Sequence, residues 1–125
     1  MPRKDKTEVQ WLENPEAHDY PAAASYLSLM FDEKSTTLLV DQLEKTAVSH
    51  FKAKDIFRAS SLSLLGISDL HVRRDIKKIK TKQALSPLLL VADQSNRKVI
   101  IADGYHRLCA TYRFDEDALI PCKIV

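Results

Sequence analysis

The chain has 125 residues, an apolar fraction of 45% and a net charge of +2, which is the size and composition of one globular domain, 1–125, and excludes a disordered one. A chain of this length buries roughly two-thirds of its unfolded surface, so it needs no disulfide or metal staple. Cys109 and Cys122 form no CxxC pair and read as reduced thiols. No apolar stretch follows the charged start, and no run approaches the ~20 apolar residues of a membrane helix, so a cytoplasmic protein without membrane contact is expected.

Residues 1–18 read as a polar arm docked through Trp11 and Leu12. Residues 19–46 read as a helical hairpin. Asp19 is taken as a cap and Pro21 lies in the first turn. Ala23, Tyr26, Leu27 and Met30 then recur at helical spacing up to Phe31. Ser35 is expected to cap a second helix through Leu38, Leu39, Val40 and Leu43. The stripe of Tyr26, Leu27 and Met30 serves either core packing or a homodimer.

Residues 47–125 change pattern. Residues 48–53 read as a short strand, and 54–65 as an irregular or single-turn helical connector ended by Gly66. Ser68 is expected to cap an amphipathic helix with Val72, Ile76 and Ile79 on its inner stripe. Pro87 starts a strand over 88–92, residues 93–96 turn, and 98–102 return as the second strand of a hairpin. A helix over 104–113 and a strand over 119–125 close an ααβαββαβ order. That order is an α+β (α/β) arrangement with a small mixed sheet. Between Lys52 and Lys82 there are nine Lys/Arg and three Asp, a basic stretch that suits either nucleic acid or a solvated face.

Glycine occurs twice, where average usage gives about nine. Gly104 stands between an apolar strand and a helix, where the absence of Cβ allows a tight turn and close approach to the backbone. The free N–H groups and dipole of the new helix favour an anion there. His106 and Arg107 add donors in the first turn, and a cation there opposes the dipole, so helix stability does not explain Arg107 whereas phosphate binding does. Asp103 reads as a helix cap, or as a base or metal-water contact when ligand is bound. The competing reading has Asp103 as a cap, His106 as a surface residue and Arg107 as a salt-bridge donor.

From Phe51 to Val125, about 60% of the chain, the sequence resembles the ParB/sulfiredoxin superfamily. The resemblance rests on the helix from His71 to Ile79, the proline-led Leu85-Ser86-Pro87-Leu88-Leu89-Leu90-Val91, and Val99-Ile100-Ile101-Ala102-Asp103-Gly104-Tyr105-His106-Arg107-Leu108-Cys109-Ala110. The closing Ile120-Pro121-Cys122-Lys123-Ile124-Val125 completes it. It implies a ParB/sulfiredoxin-like fold in which the Gly-x-His-Arg turn holds nucleotide phosphates: ATP in sulfiredoxins, CTP in partition proteins, ADP in free serine kinases. Carried over by position, Gly104, Tyr105, His106 and Arg107 line the phosphate. His71, Arg74 and Lys78 form a second wall, and Asp103 and His106 are the catalytic candidates, with Mg2+ as an accompanying ion and no protein metal site. Tyr105 stands where sulfiredoxins carry their reactive cysteine, so that activity is not expected. No helix-turn-helix follows as in partition proteins. The expectation is a nucleotide- or phosphate-binding module, with phosphoryl transfer or hydrolysis left open. The alternatives are a nucleic-acid binder or ParB-like nuclease, and a non-catalytic interaction module.

Overall fold

Four consecutive apolar residues, Leu88 to Val91, organise the architecture. Successive strand side chains point to opposite faces, so an uninterrupted apolar run is stable only in a sheet covered on both sides. The computed structural model, which describes residues 8–66 and 68–125, has this arrangement. Leu88 and Leu90 join Ile101, Ile120 and Cys122 in one core, while Leu89 and Val91 join Ile100 and Ala102 in a second core. Burying each such aliphatic side chain contributes about 1.5–3 kcal/mol.

Among the described residues the elements are α1 (Asp19–Leu27), α2 (Glu33–Lys45), β1 (Ser49–Lys52), α3 (Ala53–Ser60), α4 (Leu70–Lys80), β2 (Leu88–Asp93), β3 (Lys98–Asp103), α5 (Tyr105–Phe114) and β4 (Leu119–Ile124). The fold is α+β, with a mixed sheet ordered β1-β4-β2-β3. β4 runs antiparallel to β1 and parallel to β2, and β2–β3 is an antiparallel hairpin. The helices α1 and α2 contact each other and bring Ala23, Leu27 and Leu43 to one face. α3, α4 and α5 cover the other through Ile56, Phe57, Val72, Ile79 and Leu108. No helix among the described residues is long and apolar enough to cross a membrane.

Several boundaries differ from the sequence reading, each for a local reason. Asp32 caps α2 by accepting from the Ser35 amide at 2.7 Å, so Ser35 lies inside the helix. Asp69 caps α4 by accepting from the His71 and Val72 amides at 2.9 and 3.1 Å, displacing Ser68 from that role. A cap oxygen must reach the free amides two or three residues on, and in both places an aspartate does so. α1 ends at Leu27, short of Phe31, and Asp19 is its buried first residue rather than its cap. The first part of the expected irregular or single-turn helical connector is the two-turn helix α3. Its inner face of Ala53, Ile56, Phe57 and Ser60 is half made of small residues that carry little hydrophobic signal. The Phe57 ring meets Tyr112 edge-on at 4.9 Å. The Ala53 and Lys54 amides are satisfied by the carbonyls of Ala118 and Glu116 instead of by a cap side chain.

The polar arm docks where expected. The arm pairs with Leu85 through Leu12 N–H to Leu85 O and Leu85 N–H to Gln10 O, both 2.8 Å. Trp11 packs partly buried against the first core. The arm's first seven residues lie outside the described residues.

Candidate functional site

The geometry of the β3–α5 turn begins with an irregularity in the sheet. Leu89 opposes Asp103 but Leu90 opposes Ile101, so Ala102 is the extra residue of a bulge that bends the end of β3. Gly104 follows at φ 106°, in the left-handed region. A Cβ there would lie 2.8 Å from Leu88 Cγ and 2.9 Å from Arg107 Nη2. The fold therefore demands glycine on its own account.

Arg107 ties the turn to the start of β2. Its Nε donates to the Ser86 carbonyl at 2.9 Å, and Nη2 donates to the Pro87 carbonyl at 3.3 Å and to Asp103 Oδ2 at 2.9 Å. Both members of this ion pair are 17% exposed. Asp103 is thus the partner of Arg107 and makes no cap contact with α5, whose N-cap Gly104 has no side chain to offer. Burial pushes the Asp103 carboxyl above the usual aspartate range, against the pull of the Arg107 guanidinium.

His106 points elsewhere, toward the start of α4. Its ring lies 4.8 Å from that of His71, and its Nε2 lies 4.0 Å from Asp69 Oδ1. The first turns of α4 and α5 therefore converge, bringing together two residues 35 positions apart in sequence. The Val72 and His71 amides hold the Asp69 carboxyl below its ordinary value, helped by the charges of His106 and His71.

Arg74 and Lys78 lie on the same flank of α4 as His71, and both act electrostatically on Asp75. Asp75 is 8% exposed and projects inward with Val72 and Ile79. Burial raises its carboxyl above the usual range, opposed by Lys78, Arg107, His106 and Arg74. These four basic side chains, two on each helix, surround one buried carboxylate. Tyr105 is turned to the 61–66 loop, where its hydroxyl donates to the Ser63 carbonyl. Burial, with Cys109 nearby, raises its phenol.

No protein-family model, curated protein or solved structure matches this chain. Among the described residues no group of three or more His, Cys, Asp or Glu side chains is arranged to hold a metal ion. Cys109 and Cys122 are both free and buried. Burial pushes the Cys109 thiol up and the Cys122 thiol up to about 12, so burial disfavours the thiolate at both.

Two groups beside the turn were missing from the sequence reading. Asp75 carried a local signal, because it is an acid on the apolar stripe of Val72, Ile76 and Ile79. Asp19 carried none. Its carboxylate accepts from the Ser86 hydroxyl, 67 residues away, and from the Glu16 amide at 3.0 Å. It also bears electrostatically on Asp103, as does His18. His18 Nε2 lies 3.3 Å from Asp19 Oδ1 at the exposed rim.

Proposed function

We propose that this chain is a nucleotide- or phosphate-binding module of the ParB/sulfiredoxin-like type, with phosphate seated between His71 and His106 at the first turns of α4 and α5. The observation that carries the reading is the 4.8 Å approach of those two rings. It puts two helix N-termini and two imidazoles on one spot, and helix N-termini favour anions. His106 remains 42% exposed, so its ring is open to a ligand. Arg74 and Lys78 flank it as the second wall and add positive potential.

Arg107 has a different part from the direct phosphate grip the motif suggests. Its guanidinium is committed to Ser86, Pro87 and Asp103, so it fixes the turn and lends charge from behind. The ligand class is ATP, ADP or CTP, with Mg2+ accompanying the phosphates. Asp103 is the carboxylate held beside the turn for a base or an ion contact.

The test is calorimetry and thermal shift with ATP, ADP, CTP, GTP and pyrophosphate. A ligand at about 100 times its Kd is expected to add about 2.7 kcal/mol of stability. The His71→Ala/His106→Ala double variant is expected to bind at least about tenfold more weakly while changing unliganded stability little, since both residues are surface-accessible. Absence of any shift with all five compounds at millimolar concentration rejects the proposal.

A further inference from the structure

The basic stretch of the sequence divides in two once its partners are visible. Lys54 pairs with Asp117 at 2.6 Å, Lys52 approaches the same carboxylate at 3.9 Å, and Arg58 pairs with Asp55 at 2.5 Å. These cations are neutralised. On α4, Arg73, Lys77 and Lys80 are exposed, and among the described residues they have no salt-bridge partner.

At 100° per residue, Arg73, Lys77 and Lys80 form one row along α4, and His71, Arg74 and Lys78 form the adjacent row. The whole outer half of the helix is cationic, while Val72, Asp75 and Ile79 face the core. Local stability does not explain this arrangement. The helix dipole favours Lys77, Lys78 and Lys80 in the last turn but opposes Arg73 and Arg74. Arg73–Lys77, Arg74–Lys78 and Lys77–Lys80 are like-charge neighbours at i,i+4 and i,i+3, which destabilise a helix. An anionic partner removes that repulsion.

We infer that the outer face of α4 is a docking surface for the phosphate backbone of a nucleic acid, with Arg73, Lys77 and Lys80 as its contact row. The row spans about 10 Å at 1.5 Å per residue, about three phosphate steps along one strand of a duplex. A lipid surface fits less well, because a helix lying on a membrane presents an apolar face outward, and Val72 and Ile79 are fully buried here. An acidic protein also fits less well. Protein interfaces have an apolar centre poor in lysine, whereas Leu70 at one end is the exposed apolar residue of this helix. A polar, strongly cationic face is the kind that phosphate backbones meet. This surface is separate from the phosphate seat between His71 and His106 and stands or falls independently of it.

The experiment is fluorescence anisotropy of the full chain with labelled duplex DNA, single-stranded DNA and RNA across a salt series from about 50 mM. Two triple charge reversals of equal net charge are compared: Arg73→Glu/Lys77→Glu/Lys80→Glu on α4, and Lys34→Glu/Lys45→Glu/Lys98→Glu elsewhere. Circular dichroism checks that both remain folded. The α4 triple is expected to lose at least about tenfold in affinity and to flatten the log–log salt slope by about 2–3. The control triple is expected to lose less than about threefold. No binding at the lowest salt overturns the inference, and so does equal loss in the two triples. Displacement of the nucleic acid by phosphatidylserine vesicles or polyglutamate at matched charge reassigns the face to lipid or acidic protein, and also overturns it.

Discussion

Gly104 was legible in the sequence and Asp75 was not. Glycine scarcity made Gly104 conspicuous, and the structure supplies a steric cause: a positive φ and two neighbours inside contact distance of any Cβ. Gly104→Ala is expected to cost at least about 1–2 kcal/mol, seen as a lower urea midpoint at unchanged m. An unchanged midpoint would mean that Leu88 and Arg107 can shift freely. Asp75 was hidden among charges and proves to be buried. Its folded pKa is raised, so its contribution favours the fold at low pH and is lost as pH rises through that value. Asp75→Asn is accordingly expected to raise Tm at pH 7, with the gain vanishing below about pH 3.9, the ordinary aspartate value. A variant less stable than the parent at pH 7 would show that the surrounding cations, and not burial, dominate.

At the scale of elements, the meeting of α4 and α5 makes the candidate site. Each N-terminus was recognisable separately: a serine before an amphipathic helix, and a glycine after an apolar strand. Their convergence was not, because no local pattern encodes which helix starts lie side by side. Asp69 belongs to both aspects of this geometry, capping α4 and placing a negative charge 4.0 Å from His106. A serine can keep the cap without the charge. Asp69→Ser is therefore expected to leave stability within about 0.5 kcal/mol and to raise phosphate affinity roughly fivefold, the scale of one unit charge at this distance in water. Calorimetric titration with pyrophosphate reads the second effect. Weaker binding would place the anion away from Asp69. The sequence reading allowed α3 one helical turn at most, because Ala53 and Ser60 fill half of its inner face.

At the scale of the molecule, the N-terminal helices belong to the same body as the site. α1 packs on β3, and Asp19 holds the Ser86 hydroxyl one residue from the carbonyl that Arg107 grips at Pro87. On the opposite edge of α2, buried Lys123 donates to the Glu44 carbonyl at 3.0 Å and lies over the Tyr20 ring. Asp19→Ala removes the acceptor of the Ser86 hydroxyl and leaves the Glu16 amide only its 3.2 Å bond to Ser86 Oγ, and it is expected to cost about 1–3 kcal/mol. Hydrogen exchange should then quicken both in α1 and around residues 86–88, since the two segments share that carboxylate. Faster exchange confined to α1 would separate the hairpin energetically from the turn.

The sequence by itself determined the four strands, four of the five helices and the position of the strand–glycine–helix turn. Those features are written in short-range patterns: period, cap-forming residues and a glycine no other residue can replace. Tertiary structure alone decided that Arg107 serves Ser86, Pro87 and Asp103, that His71 meets His106, and which cations of the basic stretch are neutralised. Each of these depends on partners 20 or more residues away or on a competition among several acceptors. Charge and hydrogen bonding act over a few ångströms in space, and spacing along the chain does not fix which groups come that close.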